Sequence, residues 1–133
     1  MTLGSMALSY PELNPLTERI IGCAIEVHRY YGPGLLESVY EDALFIELQS
    51  AGLNVARQRQ LPIFYKGRRT SGRLRLDLVV SDTVIVEVKH IEKLLLVHEA
   101  QVLTYLKVSE RRVGLLFNFN VLSMVNGIRR ISN

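Results

Sequence analysis

The chain has 133 residues, 48% of them apolar, and a formal net charge of +3, which suits one domain with its own core and excludes a wholly disordered chain. A single cysteine, Cys23, excludes an intrachain disulfide and a cysteine-built zinc site. No apolar run approaches the roughly 20 residues of a membrane span, and no charged segment precedes an apolar stretch as in a secretory signal, so the expected location is cytoplasmic.

Residues 1–13 read as a flexible N-terminal leader, and residues 14–133 as one domain. Asn14-Pro15 is a helix start, because Asn caps and Pro fits the first helical position. Leu16, Ile20, Cys23, Ala24 and Val27 then follow helical spacing up to about Tyr31, where Gly32-Pro33-Gly34 stops the helix. A second helix runs from about Leu36 to Ser50 and ends at Ala51-Gly52. On it Glu37, Tyr40, Glu41 and Leu44 share one face, and periodicity alone reads that polar stripe as solvent-facing.

Strands follow. One spans about Val55 to Tyr65, with Pro62 marking an edge or a bulge. After a turn at Lys66-Gly67-Arg68 come two more, joined by a short polar loop. Side chains alternate along a strand, so Leu74, Leu76, Leu78 and Val80 share one face of the first of these, and Arg75 and Asp77 the other. On the second, Val84, Val86 and Val88 oppose Ile85, Glu87 and Lys89. A two-residue loop at Ser81-Asp82 would set Asp77 opposite Val86. A three-residue loop, Ser81-Asp82-Thr83, sets Asp77 opposite Glu87 and stacks the aliphatic positions together, so that register is expected. Leu94 to Lys107 reads as a helix, with His98, Gln101 and Tyr105 on one face. Val113 to Phe119 reads as a buried strand, and Met124 to Ile131 as a last one. The expected fold is α/β, a mixed central sheet flanked by helices in the order α-α-β-β-β-α-β-β.

Two features carry chemistry. Asp77, Glu87 and Lys89 place charge on strands that should be buried, and buried charges are paired, hydrated or bound to metal. Two carboxylates and a lysine brought together there suit a divalent-metal site that hydrolyses phosphodiesters. The segment from Asn54 to Leu76 has no acidic residue but holds Arg57, Arg59, Lys66, Arg68, Arg69, Arg73 and Arg75, a block suited to a phosphate backbone. The plain alternative for both is a solvated hairpin face. There is no phosphate-binding glycine loop with its lysine, and no local Ser-His-Asp arrangement.

The spacing Gly34, Glu37, Tyr40 resembles the motif that names the GxxExxY protein family. Glu26-Val27-His28, the run Gly32 to Glu41, Gln101 with Tyr105-Leu106, and Asn118-Phe119 resemble it too, in order, from about Asn14 to Ile131. That family is placed in the PD-(D/E)XK nuclease superfamily, so the resemblance implies a PD-(D/E)XK nuclease-like core. It matches Asp77 to the motif aspartate, Glu87 and Lys89 to the (D/E)XK element, Glu37 to a helical acidic residue that joins the metal site, and Gln101 and Tyr105 to a Q-x-x-x-Y element. His28 corresponds more loosely to a helical histidine that ligates metal in some relatives. Leu76 stands where the superfamily name has proline, at a position that varies in such enzymes. The implied activity is Mg²⁺- or Mn²⁺-dependent hydrolysis of nucleic acid, DNA ahead of RNA, in repair or defence. Asp77, Glu87, the Val88 carbonyl and Glu37 would be ligands, and Lys89, Glu37, Gln101 and Tyr105 catalytic groups. So small a chain could draw its specificity from a homodimer. The competing readings are an inactive nucleic-acid-binding module and a protein-interaction module on the same fold.

Overall fold

The computed structural model describes residues 9–133. Two helices, α1 (Asn14–Tyr31) and α2 (Glu37–Ser50), precede strands β1 (Val55–Tyr65), β2 (Arg68–Val80) and β3 (Val84–Lys89). Helix α3 (Leu96–Ser109), β4 (Val113–Asn118) and β5 (Ile128–Ser132) complete the chain. The five strands form one sheet in sequence order. All neighbours are antiparallel except β3 and β4, which run parallel with α3 as the crossover. The fold is therefore α/β with a mixed sheet, in the element order expected from the sequence.

Both faces of the sheet are covered. On one face Leu78, Val80, Val84, Val86, Val88, Leu115 and Phe117 pack under α1 and α2, against Ile20, Ala24, Val27, Tyr40, Leu44 and Leu48. On the other Leu74, Leu76, Val79, Ile85, Leu116 and Ile131 pack under α3, against Val102 and Leu106. Coverage on both sides explains why β3 and β4 are near-continuous aliphatic runs. Leu74 and Leu76 thus do not share a face with Leu78 and Val80, as strict alternation would require. The alternation breaks at Asp77. Across from it on β1, Gln58 has φ +49°, and the β1–β2 pairing passes from Arg57↔Leu78 to Arg59↔Leu76 over this point. The regular pairing of the two strands is thus interrupted at the same level on both.

The β2–β3 turn is the three-residue Ser81-Asp82-Thr83. Ser81 and Asp82 both take positive φ, and Thr83 donates its N–H to the Val80 carbonyl at 3.0 Å. Pairing Leu78↔Val86, Val79↔Ile85 and Val80↔Val84 sets the expected register.

Three boundaries differ from the sequence reading. Helix α3 begins at Leu96 because His98 Nδ1 accepts the Leu95 N–H at 2.8 Å and caps it there. Met124–Gly127 form a 3-10 turn ahead of β5. Residues 1–8 of the expected leader lie outside the described residues, but Ser9 and Tyr10 are docked, since the Arg130 guanidinium donates to their carbonyls at 3.0 and 3.2 Å. Among the described residues no helix is long and apolar enough to cross a membrane.

Gly127 lets the turn before β5 sit against the end of β4. A Cβ there would lie 2.1 Å from the Asn118 carbonyl oxygen, which is backbone and cannot swing away. We predict that Gly127→Ala destabilises the fold by about 1–3 kcal/mol, read as a lower midpoint in urea or thermal melts. An unchanged midpoint would mean that this approach is not tight.

Candidate active site

The site forms where β2 leaves β3. Backbone pairing between them runs no further than Leu78↔Val86. Beyond it the carboxylates replace the backbone ladder. Glu87 Oε2 accepts the Asp77 N–H at 2.8 Å, and Asp77 Oδ2 accepts the Val88 N–H at 3.0 Å. The two acids therefore bridge the strands at the point where these separate. Glu87 is only 4% exposed and Asp77 is half-buried.

The cost of this placement shows in the acids' proton affinity. Burial raises the Glu87 carboxyl, and the nearby Asp77 charge raises it further, to about 8, against the relief from the Asp77 N–H and Lys89. Burial likewise raises Asp77, with Glu41 adding to it and the Val88 N–H, Lys89 and Arg75 opposing. The cations present do not balance the buried carboxylates.

Helix α2 brings the next acids. Gly34 has φ +108°, a conformation that glycine adopts without strain, and the chain then enters α2 at Glu37. Tyr40, one turn on, is fully buried and stacks on Phe119 at 4.6 Å with the rings nearly parallel. Its hydroxyl donates to the Gly32 carbonyl at 2.6 Å and accepts the Leu35 N–H at 3.1 Å. Tyr40 thus pins the loop that presents Glu37. Glu37 itself is exposed and lines a cleft of about 330 Å³ with Ser38, Glu41, Gln58, Arg75 and Asp77. Burial and then the Asp77 charge raise its carboxyl, against Lys89 and His90.

The α2 stripe is not solvent-facing: Tyr40, Glu41 and Leu44 are buried. Glu41, missed by the sequence reading as a site residue, accepts from Arg57 at 2.7 and 3.2 Å and from the Gln58 amide at 2.8 and 2.9 Å. It holds Gln58 in its left-handed turn and so supports the break at Asp77. Its partners lie 16 and 17 residues away, so helix periodicity carried no sign of them.

Lys89 is half-buried, in register with Asn118 of β4. Asn118 clamps the chain just beyond it, accepting the Ile91 N–H at 3.1 Å and donating to the Ile91 carbonyl at 3.0 Å. Tyr105 of α3 is half-buried; burial raises its phenol first, and the Glu87 and Asp77 charges raise it further, with Arg75 opposing. Gln101, one turn earlier, is half-buried and makes no side-chain hydrogen bond among the described residues. His90, given no role from sequence, stacks on Tyr40 at 6.1 Å, and its Nε2 is buried without a hydrogen-bond partner.

Other expected residues are engaged elsewhere. His28 is buried, with Nε2 2.7 Å from the Val121 carbonyl, so that nitrogen is already taken. Of the basic block, Arg57 pairs with Glu41 and Asp42 at 2.7 and 2.6 Å, and Arg59 with Asp82 at 2.8 Å. Both guanidiniums thus have carboxylate partners within the chain. Lys66, Arg68, Arg69, Arg73 and Arg75 remain exposed.

Among the described residues no three His, Cys, Asp or Glu side chains converge as a ready-made ion site. The donor set still suits a hard divalent cation, because under-compensated carboxylate oxygens are what Mg²⁺ or Mn²⁺ takes, completing its shell with water.

A paired-acid site with a lysine beside it, on a mixed sheet between helices, is an arrangement suited to phosphodiester chemistry. A family model of the PD-(D/E)XK nuclease superfamily matches residues 14–131, and the chain belongs to that superfamily. No curated protein and no solved structure matches it.

The raised Glu87 carboxyl has a consequence for stability. Between pH 4.5 and about 8 the folded protein keeps a proton that the unfolded chain has already released, so stability falls as pH rises through that window. We predict that in chelator the melting temperature drops by about 5 °C or more between pH 5 and pH 8, and that Glu87→Gln flattens this dependence. A wild-type profile that is level or rises with pH would contradict the assignment.

Proposed function

We propose that the protein is a metal-dependent nuclease that hydrolyses phosphodiester bonds, with DNA as the substrate. The observation that carries this reading is the bridge of Asp77 and Glu87 at the strand divergence, with Lys89 two residues on.

Asp77 and Glu87, with the Val88 carbonyl and Glu37 at the cleft mouth, would hold Mg²⁺ or Mn²⁺. Such an ion, when bound, acidifies a water and offsets the charge that develops on a phosphate under attack. The remaining chemistry belongs to the chain. Lys89 ends β3 just before the Ile91 backbone that Asn118 clamps, and its ammonium orients the attacking water and balances negative charge on the phosphate. The Tyr105 hydroxyl and the free Gln101 amide position Lys89 or a phosphate oxygen. Burial of the acid pair strengthens each of these interactions relative to water.

The test is cleavage of single- and double-stranded DNA and RNA in Mg²⁺ or Mn²⁺, with EDTA as control. We expect cutting that EDTA abolishes and that Lys89→Ala slows by about 100-fold or more. The same ions should raise the melting temperature at pH 8, where the acids can ionise, but not in Asp77→Asn. Cleavage and a metal-induced shift that both survive Asp77→Asn would overturn the reading. Binding without cleavage in any metal would favour an inactive nucleic-acid-binding module.

A further inference from the structure

Past the site, β1 and β2 continue as a two-stranded arm. Strand β2 pairs with β3 over Leu78–Val80, whereas its pairing with β1 runs on to Tyr65↔Arg68. One face of the arm is closed, since Leu61, Ile63, Leu74 and Leu76 pack with the α3 cluster. On the other face Arg73 and Arg75 are exposed, and the α1–α2 core includes no residue from this stretch. Arg75 lines the cleft with Asp77 and Glu37. From there the cations lead outward on the same face through Arg73 to Arg69, with Lys66 at the turn that ends the arm. No acidic residue lies between Asn54 and Leu76. The tip exposes Phe64 and Tyr65, at 58% and 65%.

We propose that this open face is a docking track for duplex DNA, gripping the phosphates of the flank on one side of the bond to be cut. The proposal rests on the nuclease reading and adds a substrate form to it. Charge complementarity selects a polyanion. The aromatic rings then discriminate between its forms. Proteins that hold unpaired strands stack bases on open aromatic faces. Here the Arg69 guanidinium lies 6.0 Å from the centre of the Phe64 ring and the Lys66 ammonium 5.3 Å from that of Tyr65. These rings hold cations in place, which favours contact with phosphates over contact with splayed bases. Length also fits. Eight strand steps from Asp77 to Arg69 span about 25 Å. That equals about seven base pairs of duplex.

The experiment uses Lys89→Ala protein, in which cutting should be slowed, and fluorescence anisotropy on labelled 30-base-pair DNA and its single strand across a salt series in Mg²⁺, with a gel verifying that the DNA stays intact. We expect tighter binding to the duplex. In the added variant Lys66→Gln/Arg69→Gln/Arg73→Gln the slope of log affinity against log salt should become shallower by about 2–3, as three lost phosphate contacts require. All three residues are exposed, and a melt verifies the fold. In the wild type, cleavage should fall at least tenfold when the duplex on one side of the cut is shortened below about seven base pairs. Equal or tighter binding to single strands, or an unchanged slope in the triple variant, would overturn the track even if wild-type cleavage stood. A reduced slope with no cleavage by wild type would leave the track and overturn the nuclease. A dimer in sedimentation that Phe64→Ser/Tyr65→Ser dissociates, with DNA affinity unchanged, would assign the tip to a second copy and overturn the proposal.

Discussion

The structure turns on one substitution of roles: two carboxylates perform work that backbone carbonyls do elsewhere in a sheet. Where β2 swings away from β3, the Asp77 and Val88 amides would lose their partners, and a buried amide without a partner is costly. Glu87 and Asp77 supply the missing acceptors. The divergence therefore needs the acids, and the acids need the divergence, which opens the cleft beside them. What remains uncompensated is charge, because neither amide carries a full positive one. A site arranged in this way persists at the cost of raised proton affinity in both acids.

The rest of the fold holds this wedge in shape. Gly34, Glu37 and Tyr40 form one device: the glycine lets the chain turn, the tyrosine fixes the turn by two hydrogen bonds and a ring stack, and the glutamate is set at the cleft. Glu41 grips Gln58 and Arg57 from the same helix. Asn118, on the parallel neighbour β4, fixes the chain after Lys89. Each of these residues acts on the position of another group, so their functional weight is in geometry.

Much of this was legible in the sequence, and what was not has an identifiable cause. The odd turn at Ser81-Asp82-Thr83 followed from the demand that Val84, Val86 and Val88 share a face with the aliphatics of β2. That demand held for Leu78 and Val80 and failed for Leu74 and Leu76. The reversal lies across from Gln58, which is distant in sequence and whose left-handed turn is held by an α2 acid. The α2 stripe was misjudged for the same reason: Glu41 is buried by partners on β1, and Tyr40 by Phe119. Spacing reveals what an element presents, but a polar group's burial depends on donors supplied by other elements. Likewise Arg57 and Arg59 looked as free as Arg73, and only the fold set Glu41, Asp42 and Asp82 against them.

Strand β1 is also one of the two borders of the sheet, and such a border is a template on which another chain could add as a further strand. Here it is unfit for that use. Gln58 twists it, Pro62 removes a donor, and the pairing shifts between Pro62 and Phe64. A flat incoming strand would find no continuous row of donors and acceptors. The irregularities that shape the acid wedge and its arm thereby also disfavour edge-by-edge addition at β1.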